Sequence, residues 1–188
     1  NIAVFATGGI GGVHRGAETT LDISADLDEL SRTNVCVVCA GVKSILDIGL
    51  TLEYLETKGV PVIGYKTSEM PAFYSTKSGF NVDYRIDAAT DIAGILKTKW
   101  DLSIDGGVLV TNPIPVAFEL ESSAMNEAIN LAIIEADNEG ITGKKITPYL
   151  LSKVNEITKG KSLDANIKLI KNNADLAAKI AVHFSKKD

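Results

Sequence analysis

Lys43 is the residue in this sequence whose type and setting point most directly to covalent chemistry. It stands in Val38-Cys39-Ala40-Gly41-Val42-Lys43-Ser44-Ile45-Leu46, between a run of valines and an apolar stretch. If the valines form a parallel strand, Lys43 lies just beyond its carboxyl end, where ligand sites of open α/β sheets gather. Partial desolvation there favours the neutral amine that a nucleophile requires. The competing reading is a lysine whose stem lies on apolar surface while its ammonium reaches water. Position alone favours the second reading.

A second group lies in Leu21-Asp22-Ile23-Ser24-Ala25-Asp26, where two carboxylates bracket a serine. In extended chain, Asp22, Ser24 and Asp26 share one side, which suits a hydroxyl-rich or metal-bound ligand. Asp and Ser are equally the residues preferred at a helix start, and the pattern alone tips slightly toward that plainer reading. A third group is the glycine-rich Thr7-Gly8-Gly9-Ile10-Gly11-Gly12. It fails as a dinucleotide fingerprint, because His14 stands where the last glycine belongs. The following strand also ends at Cys39 without an acidic residue for a ribose. What survives is that clustered glycines let backbone amides approach an anion or a sugar; a tight turn with no ligand is an equal reading. Cys36 and Cys39 form a C-x-x-C among valines. Three strand steps span about 10 Å and turn the two thiols to opposite faces, so the pair reads as buried thiols and not as a disulfide or zinc site.

The elements that position these groups alternate. Apolar runs at 2–6, 34–39, 60–65, 82–86 and 107–110 read as strands, and 42–58 and 87–100 as helices, with Gly59 placed as a helix C-terminal glycine. From 122 onward the pattern is helical. A stripe of Met125, Ile129, Ala132, Ile133 and Ala136 marks 122–138. Thr147-Pro148 reads as an N-cap with proline behind it, and Ile167, Ile170, Ala174, Ala177, Ala178 and Ala181 mark a stripe over 163–184. Strands alternating with helices predict a three-layer α/β/α sandwich on a mainly parallel sheet, with a helical carboxy-terminal part. No repeat, linker or low-complexity tract divides residues 1–188, so the expectation is a single domain or part of one. The chain enters a core strand at Ile2, which predicts a processed or truncated polypeptide whose earlier part lies elsewhere.

The 188 residues are 45% hydrophobic and carry a formal net charge of −5. A mildly acidic chain without a basic cluster speaks against binding a nucleic-acid polymer, and leaves room for a small anion held by one lysine and a few amides. No apolar run has the length of a membrane span, and the start lacks the charged-then-apolar order of a signal peptide. The cytoplasm is the expected location.

In order along the chain stand Ala6-Thr7-Gly8-Gly9-Ile10-Gly11-Gly12-Val13-His14-Arg15-Gly16, Asp22-Ile23-Ser24-Ala25-Asp26-Leu27 and Val38-Cys39-Ala40-Gly41-Val42-Lys43-Ser44. They are followed by Pro71-Ala72-Phe73-Tyr74, Asn112-Pro113-Ile114-Pro115 and Leu163-Asp164-Ala165-Asn166. Taken together they resemble the pseudouridine-5'-phosphate glycosidases, the indigoidine synthase A-like family, over nearly the whole chain. The resemblance implies reversible cleavage of pseudouridine 5'-phosphate to uracil and ribose 5-phosphate. It makes Lys43 the residue that bonds to the sugar and Asp22 the residue serving a divalent metal, manganese (Mn2+). It assigns Ser24, Ala25 and Asp26 to substrate contact, and Thr7, His14 and Asn166 to the same pocket. It also implies a homotrimer, and an upstream segment carrying a proton-donating glutamate and a phosphate-binding lysine. The rival reading is a phosphosugar-binding subunit or inactive fragment without turnover of its own. The bond to be cut joins ribose to a carbon of uracil, so there is no leaving heteroatom to protonate as in ordinary glycosides. A lysine amine that attacks C1' and opens the ring supplies a lone pair to drive the cleavage, leaving an imine for water to hydrolyse.

Overall fold

The structure is a computed structural model that describes residues 2–141 and 145–186, the side chain of Asp137 excepted. Its centre is a five-stranded, wholly parallel sheet. The strands are β1 (Val4–Ala6), β3 (Cys36–Cys39), β7 (Val108–Thr111), β5 (Val62–Tyr65) and β6 (Tyr84–Ile86), in that spatial order. The inner strands read as continuous apolar runs because both of their faces are covered. Val37, Cys39, Leu109 and Val62 face one core with α2 (Ala25–Arg32) and α3 (Ile48–Thr57). Cys36, Val38, Ile63, Val108 and Val110 face the other, against α4 (Ala89–Asp101) and α7 (Lys161–Ser185). The fold is thus a three-layer α/β/α sandwich. The helices α5 (Ser122–Asn138) and α6 (Ile146–Ile157) join the first half of α7 as the helical carboxy-terminal part. Cys36 and Cys39 take opposite faces, both fully buried, and burial pushes each thiol up to about 12.

Several boundaries differ from the sequence expectation. The helix expected over 42–58 begins only at Ile48, because the Asp47 carboxylate accepts the Leu50 amide at 2.9 Å and caps it there. Residues 42–47 are instead a loop and a short strand, β4 (Leu46–Asp47), which pairs antiparallel with β2 (Val13–His14). At the other end of α3 the expected glycine does its work. Gly59 has φ 68°, the Gly59 amide donates to Glu56, and the Val60 amide to Leu55, which closes the last turn. Thr147 is not an N-cap: α6 starts at Ile146, behind Lys145, and Pro148 lies within the first turn, where no helical N–H is needed. The apolar stripe expected on α7 is largely its outer face. Ile167 and Ile170 stay over 40% exposed, while Ala165, Leu169, Leu176 and Ile180 point inward with Asn173 among them. The helix carries two apolar faces, and periodicity cannot tell which of them meets the sheet.

Candidate functional site

Beyond the carboxyl ends of β1 and β3, the two chain segments keep running side by side. The Thr7 amide donates to Val38, Ala40 to Gly8, Ile10 to Gly41, and Lys43 to Ile10, at 2.8–3.1 Å. This irregular continuation of the ladder delivers Lys43 beside the glycine-rich segment. Gly41 makes it possible: its φ is 93°, and a Cβ there would lie 2.0 Å from the Pro71 carbonyl oxygen. Phe73 packs beneath, with its amide on Ala40 and its ring in the space where a Gly9 side chain would stand. Lys43 is half-buried.

An open cavity of about 570 Å³ runs along this face, lined by the polar Thr7, Asp26 and Lys43 and by apolar residues that include Phe5, Leu30, Val35 and Val37. Three of the residues singled out from the sequence therefore meet in one place. Ser24 reaches it indirectly. It is the N-cap of α2, accepting the Asp26 amide at 3.3 Å, and the Asp26 carboxylate in turn accepts the Gly11 amide at 2.8 Å. Asp22, Ser24 and Asp26 do not share an extended strand, because α2 begins between them and turns Asp26 back toward the glycine segment. Ala25, the first residue of α2, is exposed and does not line the cavity. Asn166 abuts the loop from α7: its Oδ1 would lie 3.0 Å from a Cβ at Gly8, and it is buried without a hydrogen-bond partner among the described residues.

His14 and Asp22 form a separate pair that does not line the cavity. The His14 amide donates to the Asp22 carbonyl, and Nδ1 stands 3.8 Å from the Asp22 carboxylate, an ion pair only when the imidazole is protonated. The half-exposed carboxylate of Asp22 can serve a hard divalent ion that keeps its waters. Among the described residues no three His, Cys, Asp or Glu side chains converge into a protein cage for a metal. A second open cavity, of about 490 Å³, is bordered by Asp47, Glu53, Glu56 and Asp83. Asp47 and Asp83 there already accept the amides of Leu50 and Val62.

The glycine-rich segment is anchored through several of its amides. The amides of Thr7, Ile10, Gly11 and Val13 all have protein acceptors, Val13 donating to the Thr51 hydroxyl. Its glycines are there for close packing: a Cβ at Gly11 would meet Ser24 Oγ at 2.1 Å, and one at Gly12 would meet Thr51 Oγ1 at 2.5 Å. Sequence reasoning assigned no role to Thr51 and Asn173, buried polar residues that bond this loop, or to Asn112, which bonds Asn173. The available signal was an asparagine or threonine interrupting an apolar helix or strand end.

The family model "Indigoidine synthase A like protein" matches residues 1–183. The chain is 61% identical over 185 residues to a pseudouridine-5'-phosphate glycosidase of Clostridium botulinum and 64% identical over 184 residues to one of Geobacillus kaustophilus. It covers 98% of its own length in both, against 60% and 61% of theirs. The chain thus spans about 60% of the length of these curated relatives. Among solved structures it superposes on the prealnumycin C-glycosynthase AlnA in complex with ribulose 5-phosphate, with a TM-score of 0.91 and 39% identity. That match takes in 98% of this chain and 61% of the other. An indigoidine synthase A-like protein of Thermotoga maritima gives a TM-score of 0.90 at 37% identity, covering 98% of this chain and 60% of the other.

Proposed function

Since the chain belongs to the indigoidine synthase A-like family, we propose that it carries the lysine-bearing face of a pseudouridine-5'-phosphate glycosidase. The observation that carries the reading is the convergence of Lys43, Thr7 and Asp26 on one cavity, which runs along β1 and β3 and reaches past their carboxyl ends. The identity of about 60% to enzymes named for this activity, and a neighbour solved with a five-carbon ketose phosphate, support it.

In this reading Lys43 Nζ attacks C1' of the ribose, and the C1'–O4' bond breaks to open the ring. The nitrogen lone pair then forms the C=N bond as the C1'–C5 bond to uracil breaks. Uracil leaves with the bond pair and takes a proton on carbon. Water adds to the imine and releases ribose 5-phosphate and the free amine. Thr7 and Asp26 contact the sugar phosphate from the cavity wall, Ser24 supports Asp26 as the N-cap of α2, and the roles the resemblance gives Ala25, His14 and Asn166 would need the ligand to extend past the cavity toward them. Asp22 would hold a divalent cation, manganese in the family's usual chemistry, which would supply a positive charge able to polarise a ligand that reaches it.

The acid that protonates uracil and a phosphate-binding lysine come, in this reading, from the part of the family chain upstream of Thr7. The exposure of Ile2 (74%) and Phe5 (51%) beside the cavity, with the outward stripe of α7, supports cover by further polypeptide, and this reading takes the enzyme as a cytoplasmic homotrimer. The relatives' remaining length is in keeping with this. Among the described residues no helix is long and apolar enough to cross a membrane.

The test is turnover of pseudouridine 5'-phosphate with manganese. Uracil and ribose 5-phosphate appear in equal amounts once the upstream segment is supplied, and Lys43→Ala abolishes both. Ribose 5-phosphate binding without uracil release, even with that segment, would favour a phosphosugar-binding subunit. Turnover that survives Lys43→Ala would remove the lysine from the mechanism.

A further inference from the structure

Asn173 is fully buried on α7, in line with Leu169, Leu176 and Ile180. A primary amide among such neighbours is costly unless every polar atom is bonded. Here every one is engaged. Nδ2 donates to the Thr7 carbonyl at 2.8 Å and to the Gly8 carbonyl at 3.3 Å, while Oδ1 accepts Asn112 Nδ2 at 3.2 Å. Asn112 is itself buried just past β7, with its amide on the Cys39 carbonyl at 2.8 Å. The network therefore ties the carboxyl ends of β1, β3 and β7 to a single point on α7.

Two consequences reach the cavity. Gly8, whose carbonyl also accepts the Ala40 amide, opens the ladder that leads to Lys43, and Thr7 lines the cavity beside that lysine. Asn166 stands two helical turns, about 10 Å, before Asn173 on the same face of α7. There its buried Oδ1, without a partner among the described residues, faces Gly8. The Asn173 bonds thus fix the rotation of α7 that holds Asn166 against the loop.

We infer that Asn173, seconded by Asn112, is a positioning residue that sets affinity for the sugar phosphate by holding Thr7 and Asn166 in place, without taking part in the chemistry at Lys43. The inference rests on the function proposed above. Misplacement by a fraction of an ångström of groups that border a ligand weakens the productive complex, whereas the reactivity of the Lys43 amine is set by its own surroundings. The effect therefore falls on half-saturation and not on the rate at saturation.

The experiment traps the imine between ribose 5-phosphate and Lys43 with borohydride across a range of sugar-phosphate concentrations, in the full chain, well below the unfolding temperature. In Asn173→Leu, half-saturation rises between about 10- and 100-fold, and the trapping rate at saturation stays close to wild type. Asn112→Ala, which removes the bond to Oδ1 and spares the other two, shifts half-saturation in the same direction by less. A merely structural role lowers the unfolding midpoint and leaves half-saturation unchanged, which overturns the inference. If Asn173→Leu does not fold, Asn112→Ala decides alone, and unchanged half-saturation there overturns it equally. A wild-type chain that traps nothing at Lys43 sinks the proposed function and this inference with it. Normal wild-type trapping with unchanged variants sinks the inference only.

Discussion

Gly11→Ala tests the claim that the glycine-rich segment is glycine for packing. Its φ lies outside the left-handed region, so the backbone accepts alanine and the cost is steric. The new Cβ would lie 2.1 Å from Ser24 Oγ, 2.6 Å from Ser24 Cβ and 2.9 Å from Asp26 Oδ2. Moving Ser24 removes the N-cap of α2, worth about 1 kcal/mol. Moving Asp26 removes its bond to the Gly11 amide, about 1.5 kcal/mol at the low end for a charged acceptor in a partly exposed place. Residual overpacking adds about 1 kcal/mol, and the stiffer unfolded chain returns about 0.5 kcal/mol. The net expectation is a loss of about 3 kcal/mol, read as a lower urea midpoint with an unchanged slope. Gly94→Ala is the control. It sits inside α4 with nothing within 4 Å of a Cβ, and is expected to stabilise by about 1 kcal/mol. In a Ser24→Gly background the cost of Gly11→Ala should shrink by more than about 1 kcal/mol, because the two sites share one contact. A Gly11→Ala variant as stable as wild type, or a cost unchanged by Ser24→Gly, would refute the steric reasoning.

Cys36 and Cys39, with burial pushing both thiols up to about 12, should resist thiol reagents at pH 8 in the folded protein and react together on unfolding. Fast labelling of either in native buffer would contradict their placement in the two cores. Burial pushes the Glu119 carboxyl up, but hydrogen bonds from the Thr76 amide and hydroxyl and the Ser75 hydroxyl, with the Lys77 charge, hold it net below the ordinary value of 4.5. A carboxyl depressed in the folded state stabilises above its unfolded value and loses that contribution as pH falls through the folded one. Unfolding midpoints across pH 6 to 3 should thus fall less steeply in Glu119→Gln than in wild type. Asp22→Ala should leave the unfolding midpoint near wild type, since its side chain is 40% exposed, while raising the manganese concentration needed for half-activation. Unchanged manganese response would place the metal elsewhere.

The sheet was legible because its inner strands are covered on both faces, and runs such as Cys36-Val37-Val38-Cys39 leave little else to form. The helix start at Ile48 was not, since Asp47 caps through a side-chain geometry that an apolar run does not announce. The face of α7 was ambiguous for a different reason. Two stripes compete, and the buried one includes Asn173, which periodicity counts as polar and structure uses as a connector. Of the candidate site, Lys43, Thr7 and Asp26 do come together. The joint that brings Asp26 to Gly11 depends on where α2 begins, which the Asp-Ser-Asp pattern left open between a strand and a helix cap. His14 and Asp22 meet through β2 and its turn, a pairing of residues eight apart that no simple spacing rule singles out.

The most direct test of the central claim is the mass of the Lys43 peptide after treatment with ribose 5-phosphate and borohydride. The account predicts one reduced sugar-phosphate adduct, confined to the peptide containing Lys43, requiring both reagents and lost in Lys43→Ala. An adduct on another lysine that persists in Lys43→Ala would contradict it.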